Sequence, residues 1–242
     1  MKRLPALCAA LWLFPAALAV LVPAALTKEP HFLAPGAIDV RALLPAPPAP
    51  GSLVARAELE VVLQLQAART PEQAARCKLI ENEDIFFFGS EVLGGWFNAA
   101  NLPQTAAFFA KVHDDFIRLN HAAKAIWPRR RPSFVDAHIL PCVEVSDSGA
   151  YPSGHGIQSA LWAALLGELF PAQAAGFQQR AEETRRFKLI SGVHYPSDLE
   201  AGRIVGEAIA RELLKNPSVQ TSLEVLRAEA LPYQHHQAHR LF

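Results

Sequence analysis

From Ser52 onward the chain shows no sustained alternation of apolar and polar residues, and Ala, Leu, Glu, Gln and Arg dominate almost every segment. A half-buried strand needs that period-two alternation, so its absence leaves an all-α fold, a packed helical bundle. Helix starts are legible from their caps. Ser52 opens an apolar-periodic run to about Ala68, and Thr70-Pro71-Glu72-Gln73 combines an N-cap, a first-turn proline and a capping-box glutamine. Further helices are expected from about Gln104 to Trp127, from Ser153 through Phe170, from Ala172 to about Val193, and from the Ser197-Asp198-Leu199-Glu200 cap to Leu214.

The chain before this bundle reads differently. Lys2 and Arg3 precede an uncharged apolar run from Leu4 to Leu26, with small residues at Ala17, Ala19, Val22 and Ala24. A basic start, a short apolar middle and an A-x-A-like exit are the marks of a secretory signal peptide, expected over residues 1–24; Pro5, Pro15 and Pro23 work against the alternative, an uncleaved membrane anchor. Residues 25–50 form a Pro- and Ala-rich extended lead-in. Residues 51–216 hold the helical domain and 217–242 a C-terminal tail. Export implies a periplasmic or secreted location, where Cys77 and Cys142 are the expected disulfide once Cys8 has left with the leader.

Charge limits the partners. The 23 Lys and Arg balance 23 Asp and Glu, and no long basic run is present, so neither nucleic acid nor an anionic membrane surface is the expected partner. Val92–Ala110 and Ser148–Gly167 lack charges for long enough to raise a lipid span, yet Asn98, Asn101, Gln104, Ser153, His155 and Gln158 fit a water-soluble core better. Phe86-Phe87-Phe88 and Trp96-Phe97 read as core. His235, His236 and His239 read as a solvated tail, with no Cys or acidic cluster nearby to complete a metal site. A small molecule remains the expected partner, and a homo-oligomer stays open.

Three separated motifs carry chemistry: Lys124 followed seven residues later by Arg131-Pro132; Pro152-Ser153-Gly154-His155 at a helix start; and His194 four residues before Asp198. Singly each is weak, since caps and solvated helix faces produce all of them. In this order they resemble the signature of the phosphatidic acid phosphatase type 2 and vanadium haloperoxidase superfamily, and within it most resemble the bacterial class A non-specific acid phosphatases. The likeness runs from about Leu44 to Leu214. Two blocks carry most of it: Gly149-Ala150-Tyr151-Pro152-Ser153-Gly154-His155, and Gly192-Val193-His194-Tyr195-Pro196-Ser197-Asp198 leading into Ala201-Gly202-Arg203-Ile204-Val205-Gly206.

The resemblance implies a metal-independent acid phosphatase with no cofactor, acting on small phosphomonoesters. Its implied nucleophile is His194, forming a phosphohistidine, with Asp198 orienting the ring and His155 protonating the leaving alkoxide near the ordinary histidine pKa of about 6.5. The residue types suit that task, because phosphoryl transfer spreads negative charge over equatorial oxygens and needs fixed cations and donors. Lys124 and Arg131 supply the charge; the Ser153 hydroxyl and Gly154 N–H donate at a helix N-terminus. His194 is expected to end one helix and Asp198 to open the next, because Pro196 interrupts a continuous helix. Arg129 and Arg130 read as a solvated face or a substrate-attracting rim.

One departure from the family pattern matters. Where the third motif normally begins with Ser-Arg, this chain has Phe187-Lys188. Lys188 keeps the charge and loses the bidentate fork, which weakens phosphate binding by about 1 to 3 kcal/mol, and Arg185 on the same helix face is a partial replacement. Alternatives from other classes are a vanadate-dependent haloperoxidase, a lipid or polyprenyl phosphate phosphatase, and a catalytically impaired phosphate-binding homologue.

Overall fold

The computed structural model describes residues 30–238, without the side chains of 235–238. The expected signal peptide, and the side chains of His235 and His236 together with His239, lie outside the described residues. Helices α1 (Val40–Leu43), α2 (Leu53–Ala67), α3 (Pro71–Glu81), α4 (Ile85–Leu93), α5 (Pro103–Ile126), α6 (Gly154–Leu169), α7 (Ala174–Ile190), α8 (Pro196–Lys215) and α9 (Pro217–Ala238) make up the fold. No strand occurs among the described residues, and no helix there is long and apolar enough to cross a membrane.

The caps explain the starts. Ser52 Oγ accepts from the Ala55 N–H at 3.2 Å, and Thr70 and Gln73 satisfy each other's backbone N–H groups. The sequence reading did not resolve α4, whose N-cap is Asp84, accepting from the Phe87 N–H at 2.7 Å. Its run of consecutive phenylalanines has no helical period to detect. Phe88 and Phe97 are fully buried, in keeping with a core role.

The hub is α6, buried almost all round between α7 and α8. At its crossing with α8 the two backbones touch. A Cβ at Gly202 would lie 2.7 Å from the Ser153 carbonyl, and one at Gly206 would lie 2.3 Å from that of Ile157. Side chains there would separate the helices, so the Gly202-Arg203-Ile204-Val205-Gly206 segment is what allows the Ser153 and Asp198 helix starts to meet; the Ser153 N–H donates to the Asp198 carbonyl at 2.9 Å. Gly206→Ala is therefore expected to cost about 1 to 3 kcal/mol of unfolding free energy. Denaturant unfolding checks this, and an unchanged midpoint would show that the crossing has slack.

Both flanks are more ordered than the sequence reading held. The lead-in contains α1, capped by Asp39, and buries Leu33, Val40 and Leu44. The fully buried Asp115 carboxylate of α5 accepts the backbone N–H groups of His31, Phe32 and Leu33. Residues 217–238, read as tail, form α9 and bury Val219, Leu223, Leu226 and Ala230 in the same core. Their apolar spacing of three to four residues was the available signal.

The two cysteines correct a further expectation. Cys77 and Cys142 are neighbouring free thiols, not a disulfide. Burial, reinforced by Cys142, pushes the Cys77 thiol up to about 12. A thiol so far from its thiolate is a poor partner in disulfide exchange.

Candidate active site

Four chain segments converge beside the start of α6. The last turn of α5 brings Lys124, and Arg131 stands in the link beyond it, followed by a 3-10 turn at Pro132–Phe134. The start of α6 brings Ser153, Gly154 and His155. Near the end of α7 lies Lys188, and the link between α7 and α8 brings His194 just ahead of Asp198. Gly192, at φ 82°, takes the left-handed turn that ends α7 and redirects the chain. His194 thus lies beyond α7, which stops at Ile190, and not at its end as expected; Asp198 does sit in the first turn of α8.

His194 is held at both ring nitrogens. Nδ1 is 3.2 Å from Asp198 Oδ2, and Nε2 is 3.3 Å from an Arg131 terminal nitrogen. A guanidinium only donates, so Nε2 is the acceptor and Nδ1 carries the proton toward the carboxylate. The unprotonated nitrogen is therefore the one facing the cation. Burial, followed by the charges of Arg131, Lys124 and Lys188, drives the His194 pKa well below the ordinary histidine value.

Asp198 is fully buried and saturated. Its Oδ2 also accepts the Tyr195 N–H at 2.9 Å, and its Oδ1 accepts from Arg129 at 2.7 Å. Burial raises the carboxyl pKa, while Arg129 pulls it back. Arg129 continues to Glu58 of α2 at 2.6 Å and lies 3.9 Å over the Tyr195 ring. The reading of Arg129 as a solvated or rim residue is thus corrected, because two carboxylates hold it inside. Arg130 is exposed, as a solvated face requires. Glu58 was missed, and Arg129 was read as a surface residue, because nothing in the local sequence marks a pairing 71 residues apart.

The cations are preorganised by backbone oxygens. Lys124 Nζ donates to the carbonyls of Gly149 and Pro152, and Arg131 donates to those of Ser148 and Val193. Burial, then repulsion from Arg131, lowers Lys124 to about 7. Ser153 caps α6, its Oγ accepting from the Gly156 N–H at 3.2 Å, and the hydroxyl hydrogen remains able to donate. Gly154 occupies the first helical position against Asn120, which lies one turn before Lys124.

His155 departs from its expected titration. Its Nε2 donates to the Glu81 carbonyl at 3.2 Å, and burial, with Lys188 the next largest influence, lowers its pKa to about 3. It is neutral in the free protein through the mildly acidic range. Lys188 is buried and paired with Glu81 Oε2 at 2.5 Å. Arg185 does not replace the missing fork, since its electrostatic neighbours are Arg203, Glu182, Glu200 and Glu207 on the outer side of α7 and α8. Glu81, placed here by the end of α3, was also missed; an acidic residue is an unexpected neighbour for an anion site.

By fold and chemistry this is an all-α protein with a buried histidine–aspartate pair set among lysine and arginine. The profile of the PAP2 superfamily matches residues 106–221. The chain is 28% identical to a non-specific acid phosphatase of Salmonella typhi over 217 residues, 85% of each chain. It is 29% identical to a non-specific acid phosphatase of Providencia stuartii over 202 residues, 80% of this chain and 81% of that one. An acid phosphatase of Zymomonas mobilis is 32% identical over 139 residues, 54% of this chain and 51% of that one.

Proposed function

We propose that the protein is an acid phosphatase that hydrolyses small phosphomonoesters through a phosphohistidine on His194. The observation that carries this reading is the ring of His194, whose lone-pair nitrogen faces Arg131 while its protonated nitrogen faces Asp198. In the first step Nε2 attacks phosphorus, an N–P bond forms, the ester P–O bond breaks and the alkoxide takes a proton from His155. In the second, water attacks phosphorus and gives its proton to His155, the N–P bond breaks and inorganic phosphate leaves. Lys124, Arg131, Lys188, the Ser153 hydroxyl and the Gly154 N–H hold the equatorial oxygens. A site that grips mainly the phosphoryl group is permissive toward the leaving group.

His155 acquires the needed proton from the electrostatics of binding. In the free protein burial, and after it the charge of Lys188, suppresses its charge; an arriving dianion offsets the nearby cations and favours the protonated forms of both His155 and Lys124. Lys124, near 7 when free, is largely deprotonated at pH 8, so binding a dianion there draws protons in, and affinity falls as pH rises above about 7. Calorimetry of sulfate binding at pH 8 in buffers of different ionisation enthalpy is expected to show proton uptake; release or zero exchange would contradict the assignment. Sulfate keeps its charge across this range, so the protons counted are the protein's.

The activity itself is tested with an aryl phosphate in the presence of a chelator. Turnover without added metal, inhibited by phosphate and vanadate, is the expected result; activity only on metal addition, or none, overturns the reading. Export to the periplasm or medium belongs to the same proposal and is checked by fractionating cells that express the full chain.

A further inference from the structure

We propose that Glu81 is a built-in counter-ion of this site and determines its specificity, favouring phosphomonoesters with neutral or cationic leaving groups over those whose leaving group carries a second anionic group. The inference rests on the phosphatase reading above and adds a residue to it. Glu81 ends α3 and reaches the site twice: its carbonyl accepts from His155 Nε2, and its carboxylate holds Lys188 at 2.5 Å. Its charge is also felt at Arg131. The carboxylate therefore lies among the cations proposed to receive the phosphoryl oxygens.

The position is fixed by the chain around it. Two residues on, the buried Glu83 binds Arg180 and Thr184 of α7 at 2.5 and 2.9 Å, so the end of α3 is tied to the helix that carries Lys188. The side chains differ in exposure. Lys188 is 3% exposed and Glu81 26% exposed, so the carboxylate stands on the solvent side of the pair. Lys188 also stands where the resembled family pattern has an arginine. A lysine is a point charge on a flexible stem and can change partners, whereas an arginine fork is geometrically committed.

An incoming phosphoryl group competes with Glu81 for Lys188. Once displaced, the carboxylate remains tethered by α3 on the solvent side of Lys188, the side toward which a leaving group must project from a buried phosphoryl site. A neutral or cationic leaving group tolerates it, and a hydroxyl can donate to it. A second anionic group meets an unscreened like charge.

The experiment compares phenyl phosphate with 4-carboxyphenyl phosphate, and measures inorganic phosphate binding by calorimetry, in wild type, Glu81→Gln and Glu81→Asp. Wild type is expected to prefer the neutral substrate by about tenfold in kcat/KM. Glu81→Gln is expected to abolish most of that preference and to tighten phosphate binding about tenfold, while Glu81→Asp retains the preference. Equal effects of Glu81→Gln on both substrates, a loss of preference in both variants, or unchanged phosphate affinity overturns the inference. Failure of the phosphatase reading appears separately, as wild type that turns over neither substrate. In that case tightened phosphate binding in Glu81→Gln still supports the counter-ion, and unchanged binding overturns it.

Discussion

His194→Ala is expected to lower kcat for an aryl phosphate by about 10⁴ or more while leaving phosphate binding within a few fold. Lys124 and Arg131, the cations proposed to grip the anion, are held mainly by the backbone carbonyls of Ser148, Gly149, Pro152 and Val193, the imidazole being one further acceptor for Arg131. Removing the ring therefore removes the attacking atom and leaves the cradle standing, which is the signature of an interaction made in the transition state. Direct attack by water would use the same cations and only lose some positioning, so residual activity above a few per cent of wild type would sink the nucleophile assignment. Circular dichroism and phosphate calorimetry on the same variant separate loss of chemistry from loss of fold.

Asp198→Asn is expected to have the second largest effect, and on two properties at once. Every group that approaches the carboxylate is a donor: the His194 ring, the Tyr195 N–H and Arg129. An asparagine must turn its own donor toward one of them. Turned toward the ring, it forces the other tautomer and removes the lone pair from Nε2; a comparable carboxylate-to-amide change in a serine-protease triad costs about 10⁴ in kcat. Turned toward Arg129, it leaves that buried cation with Glu58 as its remaining carboxylate partner, and breaking a buried pair costs about 3 to 5 kcal/mol. The expected outcome is a fall of about 10² to 10⁴ in kcat with a lowered urea midpoint. A variant within tenfold of wild type in kcat and unchanged in stability would show that Asp198 neither orients nor anchors.

The legible parts of the molecule were those written in local patterns. Thr70-Pro71-Glu72-Gln73 and Ser52 announce α3 and α2 through caps whose chemistry is complete within four residues. The histidine–aspartate spacing and the 202–206 segment entered through the family resemblance, and the structure sets the first at a helix start and the second at a helix crossing. What could not be read was pairing at a distance. Arg129 resembles its exposed neighbour Arg130 in sequence and differs because Glu58 of α2 and Asp198 of α8 hold it. The ordinary histidine pKa failed for His155 because desolvation and Lys188 exist only in the folded state. The consecutive phenylalanines of α4 and the short lead-in helix lack the periodicity on which such reading depends.

The most direct test is rapid quenching of turnover into alkali, where phosphohistidine survives, followed by peptide mapping. The account predicts phosphate on the peptide carrying His194, formed within the first turnover and absent from His194→Ala. Substrate turnover with no phosphoryl-protein at any time, or a label on a residue other than His194, would contradict it.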